Sequence, residues 1–303
     1  MQLEAVSHVR RMRGGAQSHL MRCTDGYDYV VKFLNNPQHP RVLLNEWLGT
    51  RLAGMIGLPV AEVAVVHVGE ELVAHAPDLV VEIGGLRKKL TSGLCLGSRY
   101  VVSPFDGQAY DYLPENMMNR VRNVGEFAGA LAFDKWTCNA DGRQAVFWKR
   151  NRERKFTATF IDQGYCFNAG EWNFQDAPLR GVFGRNDVYS CVTSWESFEP
   201  WLSRIEHFPE SSLWPLLQEV PPEWYGAIEE VGGLLSRLLV RRSRVRGLVL
   251  DFKNSSRNPF PNWHGVSGPM EIYQVRGHAP RNRPPKGRVT GRTRIVPAAA
   301  APP

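Results

Sequence analysis

Two short polar segments in the middle of the chain carry carboxylates at positions suited to phosphate chemistry. Asp141 lies in the segment 139–143 (Asn-Ala-Asp-Gly-Arg), and Asp162 follows the apolar stretch 158–161, directly before Gln-Gly. Phosphoryl transfer needs one group to orient the attacking hydroxyl and another to hold the metal on the triphosphate. The pair therefore predicts phosphoryl-transfer chemistry. An Asx-turn at Asp141 and an ordinary strand-end turn at Asp162 remain the simpler explanations of each segment alone.

A lysine and a glutamate upstream could complete such a site. Lys32 lies inside the apolar stretch 29–33, where a lysine needs either a solvated sheet edge or an anionic partner. Glu46, on the predicted helix that follows, is the candidate partner, although an acidic residue in a first helical turn is often only a complement to the helix dipole. A strand lysine followed by a helix glutamate is the order that aligns a phosphate-binding lysine in kinases.

A run of small residues near the amino terminus could approach phosphates closely. The run consists of Gly14, Gly15, Ala16, Gln17 and Ser18, about a dozen residues before the lysine strand. Backbone N–H groups of such a loop can bind phosphate oxygens. A plain hairpin turn explains a Gly-Gly pair equally well, so this signal depends on the residues that follow it.

A second aspartate competes with Asp141 for the role of base. Asp134 precedes Asp141 by seven residues, and Asn139 follows Asp134 by five, which is the base-to-asparagine spacing of eukaryotic protein kinases. Asp134 could instead contact the site residues without touching the substrate, or lie on a solvated helix face. The residues alone therefore leave both aspartates as candidates.

The elements that must position these residues are predicted to be strands first and helices later. Alternating and β-branched stretches predict strands, whereas apolar residues at helical spacing predict helices. The predicted strands are 27–34, 61–68, 71–74 and 98–102, with a hairpin of 145–149 and 157–161; the predicted helices are 43–56, a segment through 121–131, and 223–240.

This order predicts an α+β chain with two lobes of the protein-kinase type. We expect a β-rich N-lobe at 1–97, a connection at 98–104 and a helical C-lobe with the catalytic segment at 105–265. A cleft between two such lobes is a usual place for a nucleotide. Residues 266–303 are rich in Pro and Arg and poor in apolar residues, which predicts a disordered tail.

Charge is distributed unevenly along the 303 residues. The net charge is +7, but residues 274–303 contain seven Lys and Arg residues and no acidic ones, which leaves the remainder neutral. A neutral body argues against a dedicated nucleic-acid-binding fold, which would show a basic face. The tail alone could make a weak nucleic-acid contact.

Cysteine usage and hydropathy predict a reduced, soluble, cytoplasmic protein. The five cysteines are scattered without a CxxC pair or a Cys/His cluster, so neither a zinc site nor a disulfide framework is expected. No apolar run follows the polar amino terminus, and none approaches the roughly 20 residues that span a bilayer. We therefore expect no secretory signal and no membrane partner.

The order of these motifs resembles that of the HipA-like kinases and, more distantly, the phosphatidylinositol 3- and 4-kinases. The phosphate loop of HipA-like proteins matches 15–17, their nucleotide lysine matches Lys32, and their Asn-Glu pair matches 45–46. The Asn-x-Asp of both groups matches 139–141, and their metal-binding aspartate matches Asp162. The resemblance covers roughly residues 10–240.

The resemblance implies a bacterial ATP- and Mg²⁺-dependent kinase that transfers the γ-phosphate to a hydroxyl, such as Ser or Thr of a protein. It favours Asp141 over Asp134 as the catalytic base, with Lys32 and Glu46 as its catalytic companions. It implies adenine binding along 98–104, by Tyr100 and Val102, and phosphate binding by the loop from Gly14 to Ser18.

One position departs from the family pattern. The asparagine metal ligand expected five residues after the base is replaced by Val146, which cannot coordinate a cation. Gln144 or Asn139 could supply the missing ligand beside Asp162, or one metal ion could suffice. A nucleotide-binding pseudokinase or regulatory module is therefore an alternative, and a binding protein acting through its basic tail is another.

Overall fold

The first part of the chain is a closed five-stranded barrel. The computed structural model describes residues 2–264. The ring runs β1-β2-β3-β7-β4; β1 and β4 pair in parallel and every other pair is antiparallel. Its strands and those of the neighbouring hairpin are β1 (Leu3–Arg11), β2 (His19–Cys23), β3 (Asp28–Lys32), β4 (Val63–Val68), β5 (Val80–Ile83), β6 (Leu86–Lys89) and β7 (Gly93–Arg99).

A three-stranded sheet and a set of helices make up the second part. The sheet has the order β10-β9-β8, and its β9–β10 pair is the predicted hairpin. Short 3₁₀ turns connect the helices of the later part. The elements are β8 (Gly107–Tyr110), β9 (Gln144–Arg150) and β10 (Thr157–Ile161), with α1 (Val42–Met55), α2 (Glu70–His75), α3 (Glu126–Thr137), α4 (Trp201–Glu206), α5 (Ile228–Arg241) and α6 (Val245–Lys253).

Helix α1 connects the barrel to the second part of the molecule, and nearly every side of it is buried. It contacts β4 and β7 of the barrel as well as α3. Its leucines and Trp47 belong to the same apolar core as Phe127 and Phe160. Trp47 also packs edge-on against Trp224. Burial on this scale stabilises each large apolar side chain by about 1.5–3 kcal/mol, so α1 is fixed from both sides.

The predicted α+β arrangement is confirmed, with local corrections. The predicted strand 98–102 lies earlier, as β7 (Gly93–Arg99), and the helix predicted through 121–131 begins only at Glu126. The predicted strand 71–74 is part of helix α2, in whose first turn Glu70 and Glu71 complement the helix dipole. Four residues are too few to distinguish a strand period of two from a helical period of 3.6. The predicted helix 223–240 begins only at Ile228, because Pro221 and Pro222 form a 3₁₀ turn before it. The lobe boundaries stay a prediction, and the predicted tail lies outside the described residues.

Candidate active site

A deep cleft brings together side chains from distant parts of the sequence. Its volume is about 1330 Å³, which exceeds the usual size of a small-molecule site. The cleft is lined by residues from the run 14–18, from β3, from α1, from the end of β7 and from the segments around Asp141 and Asp162. Lys32, Asp141 and Asp162 therefore face one common space.

Lys32 lies between two carboxylates at the inner end of this cleft. Its Nζ donates to Glu46 Oε2 at 2.6 Å and to Asp162 Oδ1 at 2.8 Å. Burial alone would lower the pKa of Lys32, but the two carboxylates outweigh it, and the pKa lies above its ordinary value. The ammonium group is therefore charged at neutral pH and already in contact with the candidate metal ligand.

Glu46 connects this ion pair to the loop that follows β10. Its Oε1 accepts a hydrogen bond from the backbone N–H of Gln163 at 2.9 Å, while its Oε2 accepts from Lys32. Both oxygens are thus occupied, and Glu46 is only 3% exposed. Its place on the rigid helix α1 fixes the lysine relative to the loop.

Asp162 follows β10 with a left-handed backbone, φ 61°. Lys32 lowers the pKa of this carboxyl, since a nearby positive charge favours the ionised form. Gln144 Nε2 donates to Asp162 Oδ2 at 3.0 Å, because the antiparallel register sets Gln144 opposite Ile161. The two predicted metal ligands are therefore neighbours on the cleft wall.

Asp141 lies in an exposed turn just after α3. The helix ends at Cys138, whose left-handed backbone (φ 51°) reverses the chain. Asn139 Oδ1 accepts from the N–H of Asp141 at 3.1 Å, so the Asx-turn is present and begins at Asn139. Asp141 Oδ1 accepts from the adjacent N–H of Gly142 at 2.7 Å. The backbone carbonyl of Asp141 accepts from Gly181 at 3.1 Å. Asp141 lines the cleft, where an acceptor hydroxyl could approach.

Asp134, the rival base, is buried behind this turn. It forms a two-pronged ion pair with Arg143 and accepts from Asn139 Nδ2 at 3.0 Å. Arg143 also donates to the carbonyl of Ile161 at 2.9 Å, next to Asp162. Asp134 is 1% exposed and therefore cannot meet a substrate directly. It holds together the two segments that carry Asp141 and Asp162.

Asn139, a predicted metal ligand, is engaged elsewhere. Its Nδ2 donates to Asp134, its Oδ1 accepts from the N–H of Asp141 at 3.1 Å, and its side chain does not line the main cleft. Asn139 is buried and lies outside the cleft lining, so it is poorly placed to bind a cation there. Gln144 is the better placed of the two candidates, while Val146 lines the cleft with an apolar side chain.

The small-residue loop borders the cleft, except for Gln17. Gly14, Gly15, Ala16 and Ser18 line the cleft, and Gly14 has the positive φ (112°) that glycine tolerates best. Gln17 turns away, since its amide makes two hydrogen bonds of 2.8 Å with the backbone of Glu82 on β5. Gln17 therefore anchors the loop rather than lining the cleft.

The predicted adenine-binding segment is divided. Tyr100 lines the cleft together with Ser98, Arg99 and Val101. Val102, by contrast, is buried and lies against Gly107 of β8, where an added Cβ would come within 2.6 Å of it. The side chain of Val102 therefore does not line the cleft, although its backbone continues the connecting segment.

Several cleft residues escaped the sequence reasoning. Arg180 and Arg185 line the cleft near Asp141 but belong to an irregular segment without periodicity. Arg180 donates to Asn168 Oδ1 at 2.7 Å, so it is held by a neutral partner. In the sequence, only Arg143 was recognisably close to Asp141. The positions of Arg180 and Arg185 depend on tertiary folding, so no local pattern indicated them.

Comparison with known proteins identifies the family. Residues 6–234 match the model of the HipA-like kinase family, which is more than half of the chain. A search of curated proteins finds no match. The chain therefore belongs to the HipA-like kinases, as its motifs predicted.

Solved structures show the same fold at low sequence identity. The Golgi casein kinase is 12% identical, with a TM-score of 0.50 over 83% of this chain and 74% of that chain. A structure of the Golgi casein kinase with Mn/ADP bound is 11% identical, with the same coverage and TM-score. The proinflammatory kinase CtkA of Helicobacter pylori is 11% identical, with a TM-score of 0.50 over 80% of this chain and 92% of that chain. The two-lobed kinase-like fold is thus confirmed.

The family and the fold together make this chain a kinase by class, with a phosphotransferase site. Among residues 2–264, every helix is too short or too polar to traverse a bilayer.

Proposed function

We propose that this protein transfers the γ-phosphate of ATP to a hydroxyl group, such as that of Ser or Thr in a protein. One observation supports the proposal above others: Lys32 contacts both Glu46 and Asp162, in the cleft that Asp141 also lines. A charged lysine, a candidate metal ligand and a candidate base then face the same space. Phosphoryl transfer depends mainly on such positioning and charge compensation.

Nucleotide binding follows from the walls of the cleft. The proposed lobes are 1–97 and 105–265, joined by the connection 98–104. We infer that adenine lies between these lobes, along 98–101. The triphosphate would lie beneath Gly14–Ser18. Lys32 would contact phosphate oxygens while Glu46 holds its ammonium in place. The manganese and ADP bound to the Golgi casein kinase support a nucleotide and a divalent cation here.

The donor set of the cleft suits Mg²⁺. The carboxylate oxygens of Asp162 and the amide oxygen of Gln144 are hard ligands. The Gln144 side chain lies beside Asp162, with its Nε2 donating to Asp162 Oδ2. No group of three or more His, Cys, Asp or Glu side chains suited to a metal occurs among residues 2–264. Magnesium is commonly bound by one or two carboxylates plus substrate phosphates, so a site with few protein ligands suits this ion. When bound, the cation would neutralise charge on the phosphates.

The acceptor hydroxyl would approach Asp141. An ionised carboxylate within hydrogen-bond distance can orient the hydroxyl and accept its proton as the new bond to phosphorus forms. The hydrogen bonds from Gly142 and Gly181 hold the Asp141 turn in place for this role. Asp134 and Arg143 maintain the distance between this turn and Asp162.

The direct test is Mg²⁺-dependent phosphate transfer from radiolabelled ATP, to the protein itself or to a panel of protein acceptors. Wild type should transfer phosphate, whereas Asp141→Asn and Lys32→Ala should lower the rate at least 100-fold, in line with losing a general base or a phosphate-charge partner. Equal rates in all three proteins would disprove the proposal.

A second candidate function is a nucleotide-binding pseudokinase, which Val146 favours. Its apolar side chain lines the cleft where relatives carry an asparagine ligand. This alternative predicts a thermal shift with ATP but no transfer to any acceptor. Transfer that disappears in Asp162→Asn would exclude it.

A further inference from the structure

The loop that begins with Asp162 has an unusually constrained backbone. Six non-glycine residues between 162 and 174 have positive φ angles, in the left-handed region that side chains disfavour. Such a conformation persists only when surrounding contacts determine it. The six residues are Asp162 (61°), Phe167 (63°), Asn168 (62°), Ala169 (56°), Trp172 (53°) and Phe174 (52°).

Asn45 makes four of the hydrogen bonds that hold this loop. It lies on α1 beside Glu46 and is fully buried. Its Nδ2 lies 3.0 Å from the carbonyl oxygens of Gly164 and Cys166 and 2.7 Å from that of Ala169. Its Oδ1 accepts from Trp172 Nε1 at 2.9 Å. Only a neutral amide offers donors and an acceptor in this arrangement, since aspartate lacks donors and leucine lacks both.

Two residues before α1 reinforce the same loop. His39 Nε2 lies 2.9 Å from the carbonyl oxygen of Gly164. Arg41 donates to the carbonyl of Gly170 at 2.9 Å, and its guanidinium lies 4.0 Å from the centre of the Trp172 ring. The start of α1 therefore contacts the loop from Gly164 to Trp172, while Glu46 holds Gln163.

We propose that Asn45 is a positioning residue that, through Trp172, fixes the direction of Asp162 toward a metal–nucleotide complex. Asn45 touches neither substrate nor cation in this scheme. It holds the left-handed backbone that sends the Asp162 carboxylate into the cleft instead of along the strand. The inference rests on the proposed function, because the role of Asp162 as a metal ligand belongs to that proposal.

The test compares two tryptophans that each donate one buried hydrogen bond. Trp172→Phe removes the bond to Asn45 and keeps an aromatic ring in place. Trp224→Phe is the matched control, because Trp224 is equally buried and its Nε1 donates at 2.9 Å to the carbonyl of Leu94, away from the loop. Asn45→Leu is the stronger variant, and it removes the donors and the acceptor together.

The readout is the affinity for a fluorescent ADP analogue, measured with Mn²⁺ and again with EDTA. Trp172→Phe should lower the Mn²⁺-dependent gain in affinity at least fivefold and leave the affinity in EDTA unchanged. Asn45→Leu should lower the gain further, and Trp224→Phe should retain all of it. Hydrogen exchange of residues 162–174 should rise in Trp172→Phe and not in Trp224→Phe.

Failure of the inference is distinguishable from failure of the proposed function. If Trp172→Phe keeps the full Mn²⁺-dependent gain, or if Trp224→Phe loses as much of it, Asn45 does not position Asp162 through Trp172, and the proposal is overturned. If wild type itself shows no Mn²⁺-dependent gain, the proposed function fails and the inference falls with it.

Discussion

Asp134 and Asp141 are separated by seven residues, yet their surroundings give them opposite roles. Asp134 is buried in an ion pair with Arg143, whose pKa it raises although burial alone would lower it. Asp141 is exposed to the cleft and its carboxylate faces no cationic partner among residues 2–264. A buried pair holds structure together, whereas an accessible carboxylate can meet a substrate.

The two aspartates should therefore respond differently to the same substitution. Asp134→Asn leaves the Arg143 charge without its partner, which should lower the free energy of unfolding by about 3–5 kcal/mol. Asp141→Asn should leave the stability within about 0.5 kcal/mol, since it is an exposed site, and lower kcat instead. Urea denaturation and phosphate transfer measure the two effects. The assignment is wrong if Asp134→Asn is stable and Asp141→Asn remains active.

At the scale of single residues, the sequence predicted the Lys32–Glu46 ion pair better than it predicted which side chains face the cleft. The order of Lys32 and Glu46 indicated a pair, because a lysine in an apolar strand needs an anionic partner, and the two lie 2.6 Å apart. The sequence did not indicate that Gln17, Asn139 and Val102 point away from the cleft. Side-chain direction depends on partners such as Glu82 and Asp134 that are distant in sequence or hidden by a turn.

At the scale of elements, α1 and the Asp162 loop approach unusually closely. A Cβ on Gly49 would lie 2.6 Å from Gln163 Cβ and 3.2 Å from Cys166 Sγ. A Cβ on Gly54, on the same helix, would lie 3.6 Å from Val60, which is ordinary contact. Glycine at position 49 is therefore required by packing, since helix propensity alone favours alanine.

Replacing these two glycines separates packing from propensity. Gly49→Ala should displace the Asp162 loop, lower the free energy of unfolding by about 1–3 kcal/mol through overpacking, and weaken nucleotide-dependent activity. Gly54→Ala, the matched control, should change stability by less than about 1 kcal/mol in either direction, with activity unchanged. Thermal denaturation and phosphate transfer test both. Equal behaviour of the two variants would show that the close approach is irrelevant.

Helix α3 carries a buried amine that should make stability depend on pH. Burial lowers the pKa of Lys135 to about 8, and the attraction of Asp134 only partly opposes it. Lys135 Nζ donates to the carbonyls of Pro178 and Arg180 at 2.8 and 2.6 Å, which join α3 to the segment lining the cleft. Its ordinary pKa in an unfolded chain is 10.5.

The sign of this dependence follows from proton binding. Between pH 8 and 10.5 the unfolded state holds the Lys135 proton and the folded state has lost it, so rising pH favours folding. The free energy of unfolding of wild type minus that of Lys135→Met should therefore increase across this window, by up to about 3 kcal/mol. Urea denaturation at pH 7, 8, 9 and 10 measures it. Parallel curves for the two proteins would contradict the prediction.

At the scale of the whole molecule, the core and the cleft lie within residues 2–264. The excess positive charge lies beyond them, in the seven Lys and Arg residues of 274–303. Folding and nucleotide chemistry should thus be separable from any contact that the basic segment makes with nucleic acid.

Truncation after Val266 tests this separation. The shortened protein should keep its Tm within about 2 °C, since no described apolar contact is removed, and should keep its nucleotide affinity. Weak binding to DNA at low salt should fall, along with its salt dependence, because fewer phosphates are neutralised. Fluorescence anisotropy with a labelled duplex measures the effect. Unchanged DNA affinity would place the contact on the body of the protein.

The fold class could be predicted because strand and helix patterns occur in separate parts of the chain. The barrel itself could not, since its closure depends on the parallel pairing of Leu3 and Glu4 with Val66 and His67, which are more than 60 residues apart. Segment 165–215 has no period, and its 3₁₀ turns are determined by aromatic packing such as that of Tyr189 against Phe252. Irregular structure of this kind is specified by tertiary contacts rather than local preference.

Closure of the barrel also limits where the first part of the molecule can move. The strands that flank the small-residue loop, β1 and β2, each pair with a strand on both sides. A hydrogen bond of 2.8 Å from Met12 N to Ser18 O joins the two ends of that loop. The tip around Gly14 has open space where a side chain would be, and within the loop its carbonyl accepts a hydrogen bond of 3.2 Å from Gln17 N. If nucleotide binds as proposed, we expect its exchange to need the motion of only the few residues of this loop, while the surrounding strands keep their pairing.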